Sequence, residues 1–144
     1  MTTKLGFKLL CEHGRLPTRA HDGDAGMDLY ASEGMHFSPG VMGVVGTSIA
    51  PVIPPGYELQ VRPRSGMAFK HGVTIVNAPG TIDAGYTGEI KVVLVNHGRK
   101  TFSVKAGDRI AQLVFAKVEP CEIVEVEELP DTERGAGGFG SSGR

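Results

Sequence analysis

The chain contains several short stretches that combine ionisable, hydroxyl and amide side chains with glycine. The most specific of them runs from Val76 to Ile90 and places Asn77, Asp83 and Tyr86 among glycine-rich turns. A plain hairpin does not require these three residues together. The Asp83 carboxylate can accept a proton from water, and the flat Tyr86 ring can pack against a sugar or a base. The stretch therefore predicts a hairpin that carries catalytic and ligand-binding side chains.

Three other stretches hold residues suited to phosphate or metal. Arg64, Ser65 and Gly66 stand between a strand and a helical turn, where free N–H groups, guanidinium and hydroxyl can bind an anion. A capped helix with a solvated arginine explains them equally well. Asp28 can hold a divalent ion directly or through water, although an ordinary turn into a strand also accounts for it. Gln112 interrupts a strand of apolar residues, where it faces either a ligand or the strand edge.

The last fifteen residues, Pro130 to Arg144, contain five glycines and one large apolar residue, Phe139. This composition cannot bury enough surface to fold alone, so we predict a flexible arm. Glycine-serine segments often serve only as linkers. Arg134 and the Ser141-Ser142 pair favour instead a lid that closes over a phosphorylated ligand.

The elements that position these residues are predicted to be mostly strands. The chain has 21 glycines and nine prolines, and short stretches of alternating apolar and polar residues lie between Gly/Pro turns. Ile90, Val92 and Leu94 share one strand face, and Val93 and Val95 on the other are also apolar, so both faces should be covered. The predicted strands are Val41–Ile49, Tyr57–Arg62, Gly72–Val76, Ile90–Val95, Thr101–Val104, Ile110–Val118 and Ile123–Val126. This pattern is typical of an all-β jelly-roll-like sandwich or barrel.

One short helical turn is predicted, from Met67 to His71, with Ser65 as its cap and Gly72 at its end. The length of the chain favours a single domain. We divide it into a β domain of residues 1–129 and the glycine-rich arm of residues 130–144.

Composition excludes several classes of protein. The formal net charge is -1, which argues against bulk nucleic acid or an anionic membrane as the main partner. Cys11 and Cys121 form no CxxC pair, and reduced thiols are favoured over one disulfide. The five histidines lack metal-ligand spacing, and no apolar run reaches the length of a signal peptide or a membrane span. A cytoplasmic protein is expected.

In this order and spacing, the five stretches resemble the five motifs of the trimeric dUTPase family. They begin at Asp24-Ala25-Gly26-Met27-Asp28, Pro63-Arg64-Ser65-Gly66, Asn77-Ala78-Pro79-Gly80, Gly107-Asp108-Arg109 and Arg134-Gly135-Ala136-Gly137. The resemblance covers about residues 17–143 and is closest to bacterial members. It implies a jelly roll, a homotrimer with shared active sites, and Mg²⁺-dependent hydrolysis of dUTP to dUMP and pyrophosphate. That reaction would limit uracil incorporation into DNA and supply dUMP for thymidylate synthesis.

The resemblance also implies a role for each matching residue. Asp83 would activate the water that attacks the α-phosphorus, and Asp28 would orient Mg²⁺, through water. Asn77 would read the uracil, and Tyr86 would pack on the deoxyribose and exclude a 2′-hydroxyl. The phosphates would be held by Arg64, Ser65, Gly66 and Gln112, and the nucleotide site would be lined by Thr81, Ile82 and Lys91. From the arm, Phe139 would stack on the uracil. The γ-phosphate would be covered by Arg134, Gly140, Ser141 and Ser142.

Two other functions are alternatives. A deoxycytidine triphosphate deaminase has a similar fold but requires a catalytic glutamate in the hairpin, where this chain has Asp83-Ala84-Gly85-Tyr86. A non-catalytic regulatory binding module could lose the aspartate or the arm, and this chain has both. Gly85 departs from the family pattern, since many relatives have an acidic residue before the tyrosine. That departure affects the rigidity of the hairpin and leaves the assignments of Asp83 and Tyr86 in place.

Overall fold

The computed structural model describes residues 2–143, so Met1 and Arg144, the outer limits of the two predicted regions, lie outside the described residues. The described chain forms short strands and one helix. These elements are β1 Gly6–Leu9, β2 Gly26–Tyr30, β3 Met35–Phe37, β4 Met42–Gly46, β5 Ile49–Val52, β6 Tyr57–Arg62, α1 Ser65–His71, β7 Val73–Ile75, β8 Gly80–Ile82, β9 Lys91–Asn96, β10 Phe102–Val104 and β11 Arg109–Lys117.

The strands pair antiparallel in four small sheets. One has four strands in the order β2-β11-β6-β8, and another has three in the order β4-β9-β7. Two strand pairs, β1-β5 and β10-β3, complete the structure. Strands that are adjacent in a sheet are distant in sequence, which is typical of a jelly roll. The predicted all-β jelly-roll-like class is confirmed.

The core lies between the sheets because each strand turns one apolar face inward. Ile90, Val92 and Leu94 are buried as the alternation predicts, and Leu59 and Leu113 join them from β6 and β11. Burial of side chains of this size contributes about 1.5–3 kcal/mol each. The larger buried cluster comprises Met27, Leu29, Phe37, Val45, Ile49, Ile53, Val61, Met67, Val73, Ile75, Ile82, Val104 and Ile110.

Two strand predictions are wrong. The predicted strand Val41–Ile49 is interrupted after Gly46. There the hydroxyl of buried Thr47 donates a hydrogen bond to the Ile90 carbonyl at 2.6 Å, and Ser48 has a left-handed φ of 53°. Ile123–Val126 forms no strand in the described chain, and its apolar side chains are exposed. A segment of alternating apolar and polar residues forms a strand only where another strand supplies hydrogen-bond partners for its backbone.

The helix begins one residue earlier than a Ser65 cap requires. Arg64 occupies the N-cap, without a side-chain capping hydrogen bond, and Ser65 is the first helical residue. The predicted end at Gly72 is confirmed: its φ of 68° is left-handed, and its N–H donates to the Ala68 carbonyl. Glycine adopts this conformation without the strain that a Cβ would add.

The last strand ends at Lys117, and residues 118–143 contain no helix or strand. All of these residues except Gly137 are exposed. The division between residues 129 and 130 was drawn from composition and stays a prediction. Nowhere in residues 2–143 is there a helix of the length and apolarity needed to cross a membrane.

Candidate active site

The hairpin stretch begins on β8, which pairs with β6 through Val61↔Gly80 and Leu59↔Ile82. After β8 the chain turns, and the Tyr86 N–H donates to the Asp83 carbonyl at 3.0 Å. The Tyr86 hydroxyl donates to the Glu89 carbonyl at 2.6 Å. Bonds at both ends of Tyr86 therefore hold its ring in place while the side chain stays partly exposed.

This turn and the strands beneath it enclose a cleft of about 240 Å³, called here the hairpin cleft. Its floor is apolar, because Val61, Ile82, Ile90 and Val92 are buried core residues. Polar side chains line its rim. Six of the sequence-predicted site residues line this cleft: Asn77, Thr81, Ile82, Asp83, Tyr86 and Lys91. A flat ligand with polar edges matches an apolar floor with a polar rim.

The hairpin cleft also contains Glu89, for which the sequence alone predicts no role. Its Oε1 accepts a hydrogen bond from the Ser48 N–H at 2.9 Å, and its Oε2 lies 3.7 Å from Lys91 Nζ. Glu89 thus ties Lys91 to the turn between β4 and β5. The sequence contains a sign of this contact: Glu89 and Lys91 stand at positions i and i+2 beside the start of a strand, and side chains two positions apart in an extended chain point to the same face.

A second group, called here the arginine cluster, forms where β2 meets β11. Asp28 Oδ1 lies 3.3 Å from Arg64 Nε, and Asp28 Oδ2 lies 3.5 Å from Arg109 Nη1. Arg64 Nη1 also donates to the Arg109 carbonyl at 3.3 Å. The Asp28 side chain is only 18% exposed, so two guanidinium groups balance a largely buried carboxylate. Arg109 lies in the fourth motif, but no role was assigned to it from sequence.

Gln112 fixes the position of the loop that carries Arg64. Its backbone is paired with Asp28 on one side and Arg62 on the other. Its side-chain Nε2 donates to the Pro63 carbonyl at 2.9 Å. A Cβ at Gly26 would collide with the end of the Gln112 side chain, so a larger residue there would displace the Gln112 amide from its present position. In this structure Gln112 supports the loop, and its predicted contact with phosphate stays a prediction.

Ser65 and Gly66 are exposed in the first turn of α1, immediately after Arg64. N–H groups in a first helical turn lack partners within the helix. Arg64, Gly66 and Arg109 line one shallow groove together with Lys70 and His71. Asp108 also lines this groove, but cationic side chains predominate around the exposed turn, which favours an anion at this place.

The arm lies apart from both groups. Local turns connect the Gly137 N–H to the Arg134 carbonyl and the Ser141 N–H to the Gly138 carbonyl, each at 3.1 Å. Arg134, Ser141 and Ser142 line a groove made only of arm residues, and Phe139 and Gly140 are exposed. Across the described chain, no hydrogen bond or ion pair joins the arm to the hairpin cleft or the arginine cluster.

The structure therefore sorts the predicted residues into three places: the hairpin cleft, the arginine cluster with the first turn of α1, and the arm. The hairpin cleft and the groove beside the arginine cluster have no lining residue in common. Their strands, β8 and β2, lie at opposite edges of the four-stranded sheet, roughly 14 Å apart at ordinary strand spacing.

The only carboxylate in the arginine cluster is Asp28. Among residues 2–143, no three His, Cys, Asp or Glu side chains come together as a metal site. A single carboxylate whose two oxygens face arginines does not form a cage for a bare cation. It fits a Mg²⁺ that is carried by phosphates, keeps most of its waters and contacts the protein through one of them.

The fold and the hairpin cleft define an all-β protein whose cleft, with an apolar floor and a polar rim, suits a small flat ligand. A family model described as dUTPase matches residues 12–143. The chain belongs to the dUTPase family.

Similar proteins support this assignment. A deoxyuridine 5'-triphosphate nucleotidohydrolase of Nautilia profundicola is 52% identical, over 98% of this chain and 99% of its own. The solved structure of the dUTPase of Staphylococcus bacteriophage 80alpha with dUPNHPP has a TM-score of 0.92 and 32% identity, covering 99% of this chain and 100% of its own. A mutant dUTPase from phage phi11 of S. aureus, described with a structural Mg(II) ion, has a TM-score of 0.81 and 30% identity, covering 88% and 98%.

Proposed function

We propose that this chain hydrolyses dUTP to dUMP and pyrophosphate by attack of water on the α-phosphorus. The observation that carries the proposal is the hairpin cleft, which combines Asn77, Asp83 and Tyr86 over an apolar floor in a chain of the dUTPase family. The bacteriophage 80alpha dUTPase solved with dUPNHPP supports the choice of nucleotide. The reaction would take place in the cytoplasm.

In the hairpin cleft, the nucleoside lies on the apolar floor. Asn77 offers an amide donor and acceptor to the uracil edge, and backbone groups of β8 complete the reading of the base. Tyr86 packs on the deoxyribose, and its ring is fixed because its hydroxyl donates to the Glu89 carbonyl. A ring that cannot move aside leaves no space for a 2′-hydroxyl. Thr81, Ile82 and Lys91 line the rest of the nucleotide site.

Asp83 acts as the general base. Its side chain is exposed in the cleft, and its backbone carbonyl accepts the Tyr86 N–H, so the turn holds the carboxylate beside the sugar site. The carboxylate accepts a proton from a water molecule, whose oxygen then attacks the α-phosphorus. Pyrophosphate leaves, and its charge is stabilised by the groups around the phosphates.

Arg64, Ser65, Gly66 and Gln112 hold the phosphate chain. Arg64 supplies positive charge, and the first turn of α1 supplies free N–H groups and a hydroxyl. Arg109 adds a second guanidinium at the same place, 3.5 Å from Asp28. Asp28 would hold Mg²⁺ through water, and the metal would supply positive charge that offsets the charge on the triphosphate and the leaving group. The arm closes over the nucleotide, with Phe139 stacked on uracil and Arg134, Gly140, Ser141 and Ser142 at the γ-phosphate.

A nucleotide panel tests the function. Release of pyrophosphate is measured with dUTP, dTTP, dCTP and UTP at equal concentration in the presence of Mg²⁺. The proposal expects fast release from dUTP alone. Ammonia from dCTP would identify a deaminase, and binding of dUTP without any pyrophosphate would identify a regulatory binding module. Either outcome would refute the proposed reaction.

The Tyr86→Ala variant is expected to lose sugar selectivity more than base selectivity, because the fixed ring excludes the 2′-hydroxyl. The ratio of kcat/KM for dUTP to that for UTP should fall by ~10-fold or more, about 1.4 kcal/mol. Tyr86→Phe is the matched control: it keeps the ring and the backbone bond to Asp83 but loses the hydroxyl bond to the Glu89 carbonyl, so the ratio should fall less than in Tyr86→Ala. If Tyr86→Ala leaves the ratio unchanged, the sugar is read elsewhere.

We further propose that the protein is a homotrimer with shared active sites. The outer face of the β4-β9-β7 sheet supports assembly: Met42 lies opposite Val95, and Val44 lies opposite Val93. All four side chains are apolar; Met42 is 64% and Val44 46% exposed, and the two others are partly exposed. The separate locations of the hairpin cleft and the arginine cluster also favour sites completed between chains. Apolar side chains exposed in the coil after β11 are a further candidate contact: Val118, Ile123, Val124, Val126 and Leu129.

Sedimentation equilibrium is expected to give a mass three times the 15.2 kDa of one chain. Val44→Asp should shift the protein toward monomer, because a carboxylate would be buried without a partner on the apolar face. Glu12→Gln, on an exposed loop, is the control and should leave the mass unchanged. A fully active protein with the mass of one chain would refute the trimer.

A further inference from the structure

Ser48, in the turn between β4 and β5, has a backbone conformation that residues other than glycine rarely adopt. Its φ of 53° is left-handed, which strains a residue that carries a Cβ. Three hydrogen bonds hold it there. Its N–H donates to Glu89 Oε1 at 2.9 Å, its carbonyl accepts from the Leu10 N–H at 2.8 Å, and its hydroxyl donates to Ser32 Oγ at 2.8 Å. The Ser48 N–H is therefore a fixed donor for the Glu89 carboxylate.

The Glu89 carboxylate reaches this donor from the end of the hairpin stretch. Its side chain is only 25% exposed, and its second oxygen, Oε2, lies 3.7 Å from Lys91 Nζ. A hydrogen bond from a backbone N–H to a carboxylate is charge-assisted and stronger than one between neutral groups. The side chain of Glu89 is thus tied to a rigid part of the fold outside the hairpin.

The peptide group between Glu89 and Ile90 is bonded at both of its polar ends. The Ile90 N–H donates to the Ile49 carbonyl at 2.9 Å, and the Glu89 carbonyl accepts from the Tyr86 hydroxyl at 2.6 Å. Because the peptide is planar, its N–H and its carbonyl point in opposite directions and turn together. Two bonds along one line leave the peptide free to rock about that line. The bond between the Glu89 side chain and Ser48 opposes this motion.

The Tyr86 ring depends on where this short segment lies. A Cβ at Gly88 would come within 2.7 Å of the Tyr86 hydroxyl oxygen and 2.8 Å of the ring carbon that carries it. The hydroxyl end of the ring therefore rests directly against the Gly88 backbone and is bonded to the next residue, Glu89. A shift of residues 88–89 would move the ring with it.

We propose that Glu89 is a positioning residue for sugar selectivity: its carboxylate, bonded to the Ser48 N–H, sets the place of the carbonyl that holds the Tyr86 ring. The inference rests on the proposed function, in which that ring excludes a 2′-hydroxyl. Glu89 lines the hairpin cleft together with Asp83, so its carboxylate must be distinguished from a second general base. A base needs a carboxylate, whereas positioning needs only an acceptor, which the amide oxygen of glutamine also supplies.

Kinetics with dUTP and UTP test the role. Glu89→Ala should lower the ratio of kcat/KM for dUTP to that for UTP several-fold, less than Tyr86→Ala does, because the ring is loosened and not removed. The change should come mainly from a lower KM for UTP. Glu89→Gln should restore the wild-type ratio. An unchanged ratio in Glu89→Ala would overturn the proposal, and so would a loss of turnover in Glu89→Gln as large as that in Asp83→Asn.

Glu33→Ala is the matched control. Glu33 Oε1 accepts from the Gly46 N–H at 2.7 Å, two residues before Ser48 in the same turn, but Glu33 does not line the hairpin cleft. Loss of this bond should lower the thermal stability and leave the sugar ratio unchanged. If Glu33→Ala lowers the ratio as much as Glu89→Ala does, general loosening of the turn is the cause and the proposal is wrong.

A double-mutant cycle tests whether Glu89 acts through the Tyr86 hydroxyl. In a Tyr86→Phe background, where that hydroxyl is absent, Glu89→Ala should change the sugar ratio by less than about twofold. Fully additive effects of the two substitutions would contradict the proposal. Glu89→Asp withdraws the carboxylate by one methylene and is a second variant for the same bond, to be used if Glu89→Ala does not fold. It should lower the ratio in the same direction.

A measurement without nucleotide separates this proposal from the proposed function. The chain has three tyrosines and no tryptophan, so ¹³C labelling of tyrosine gives few ring signals, and Tyr86→Phe identifies the signal of Tyr86. That signal should move in Glu89→Ala and keep its place in Glu89→Gln and Glu33→Ala. A signal that stays in place in Glu89→Ala would overturn the positioning role. If the ring signal moves but the wild-type chain does not hydrolyse dUTP, only the proposed function fails.

Discussion

Replacing Asp83 with asparagine is expected to lower turnover of dUTP by ~10²-fold or more, as when a positioned general base is removed. The amide has the same shape as the carboxylate but cannot accept the proton of the attacking water. Fold and nucleotide binding should survive, because the side chain is exposed and the turn is held by the Asp83 backbone carbonyl. The measurement is single-turnover hydrolysis of dUTP by Asp83→Asn.

Two controls separate chemistry from structure in that experiment. Asp22→Asn removes a carboxylate on an exposed turn outside the hairpin cleft and should keep the wild-type rate. Calorimetric titration with a non-hydrolysable dUTP analogue should give similar affinity for Asp83→Asn and the wild-type chain. If Asp83→Asn keeps a rate near that of the wild type, another group activates the water.

Deleting residues 134–144 is expected to depress turnover by roughly 10²-fold or more, because closure excludes water and completes the charges around the phosphates. The body should remain folded. Every hydrogen bond that the structure describes for residues 134–143 stays within residues 132–143, and no side chain of the core comes from this segment. Thermal unfolding of the truncated chain should therefore match that of the full chain.

Amide exchange shows whether the arm acts as a lid. Exchange across Gly135 to Gly143 should be fast without ligand and slow with a dUTP analogue and Mg²⁺. Phe139→Ala should cost less than the deletion, about 1–3 kcal/mol for one lost stacking contact with the base. Equally fast exchange in both states, together with normal activity of the truncated chain, would leave the arm as a linker.

The fold could be predicted from sequence because alternation and turn residues report local preference. They place Tyr57–Arg62 and the strand containing Val92 well. They fail where a contact with a distant residue determines where a strand ends. The break at Thr47 depends on the Ile90 carbonyl, 43 residues away, and Glu89 binds the Ser48 N–H. Ile123–Val126 has a strand-like pattern but pairs with no strand among residues 2–143.

The candidate site shows the same limit. Asn77, Asp83 and Tyr86 lie in one continuous stretch, so their meeting in one cleft follows from sequence proximity and a hairpin. The sequence did not predict a role for Arg109. Its contact with Asp28 depends on the register between β11 and β2, which includes a bulge between Arg109 and Ala111. Register is set by packing and turn geometry, and one sequence does not reveal it.

The most direct test of the proposed reaction is hydrolysis of dUTP in water labelled with ¹⁸O, with both products analysed by mass spectrometry. Attack on the α-phosphorus, with Asp83 as the base, puts one ¹⁸O into dUMP and leaves pyrophosphate unlabelled. Label in pyrophosphate would mean attack on the β-phosphorus, and the absence of dUMP would mean that the chain does not catalyse this hydrolysis. Either result would contradict the reaction proposed for the hairpin cleft.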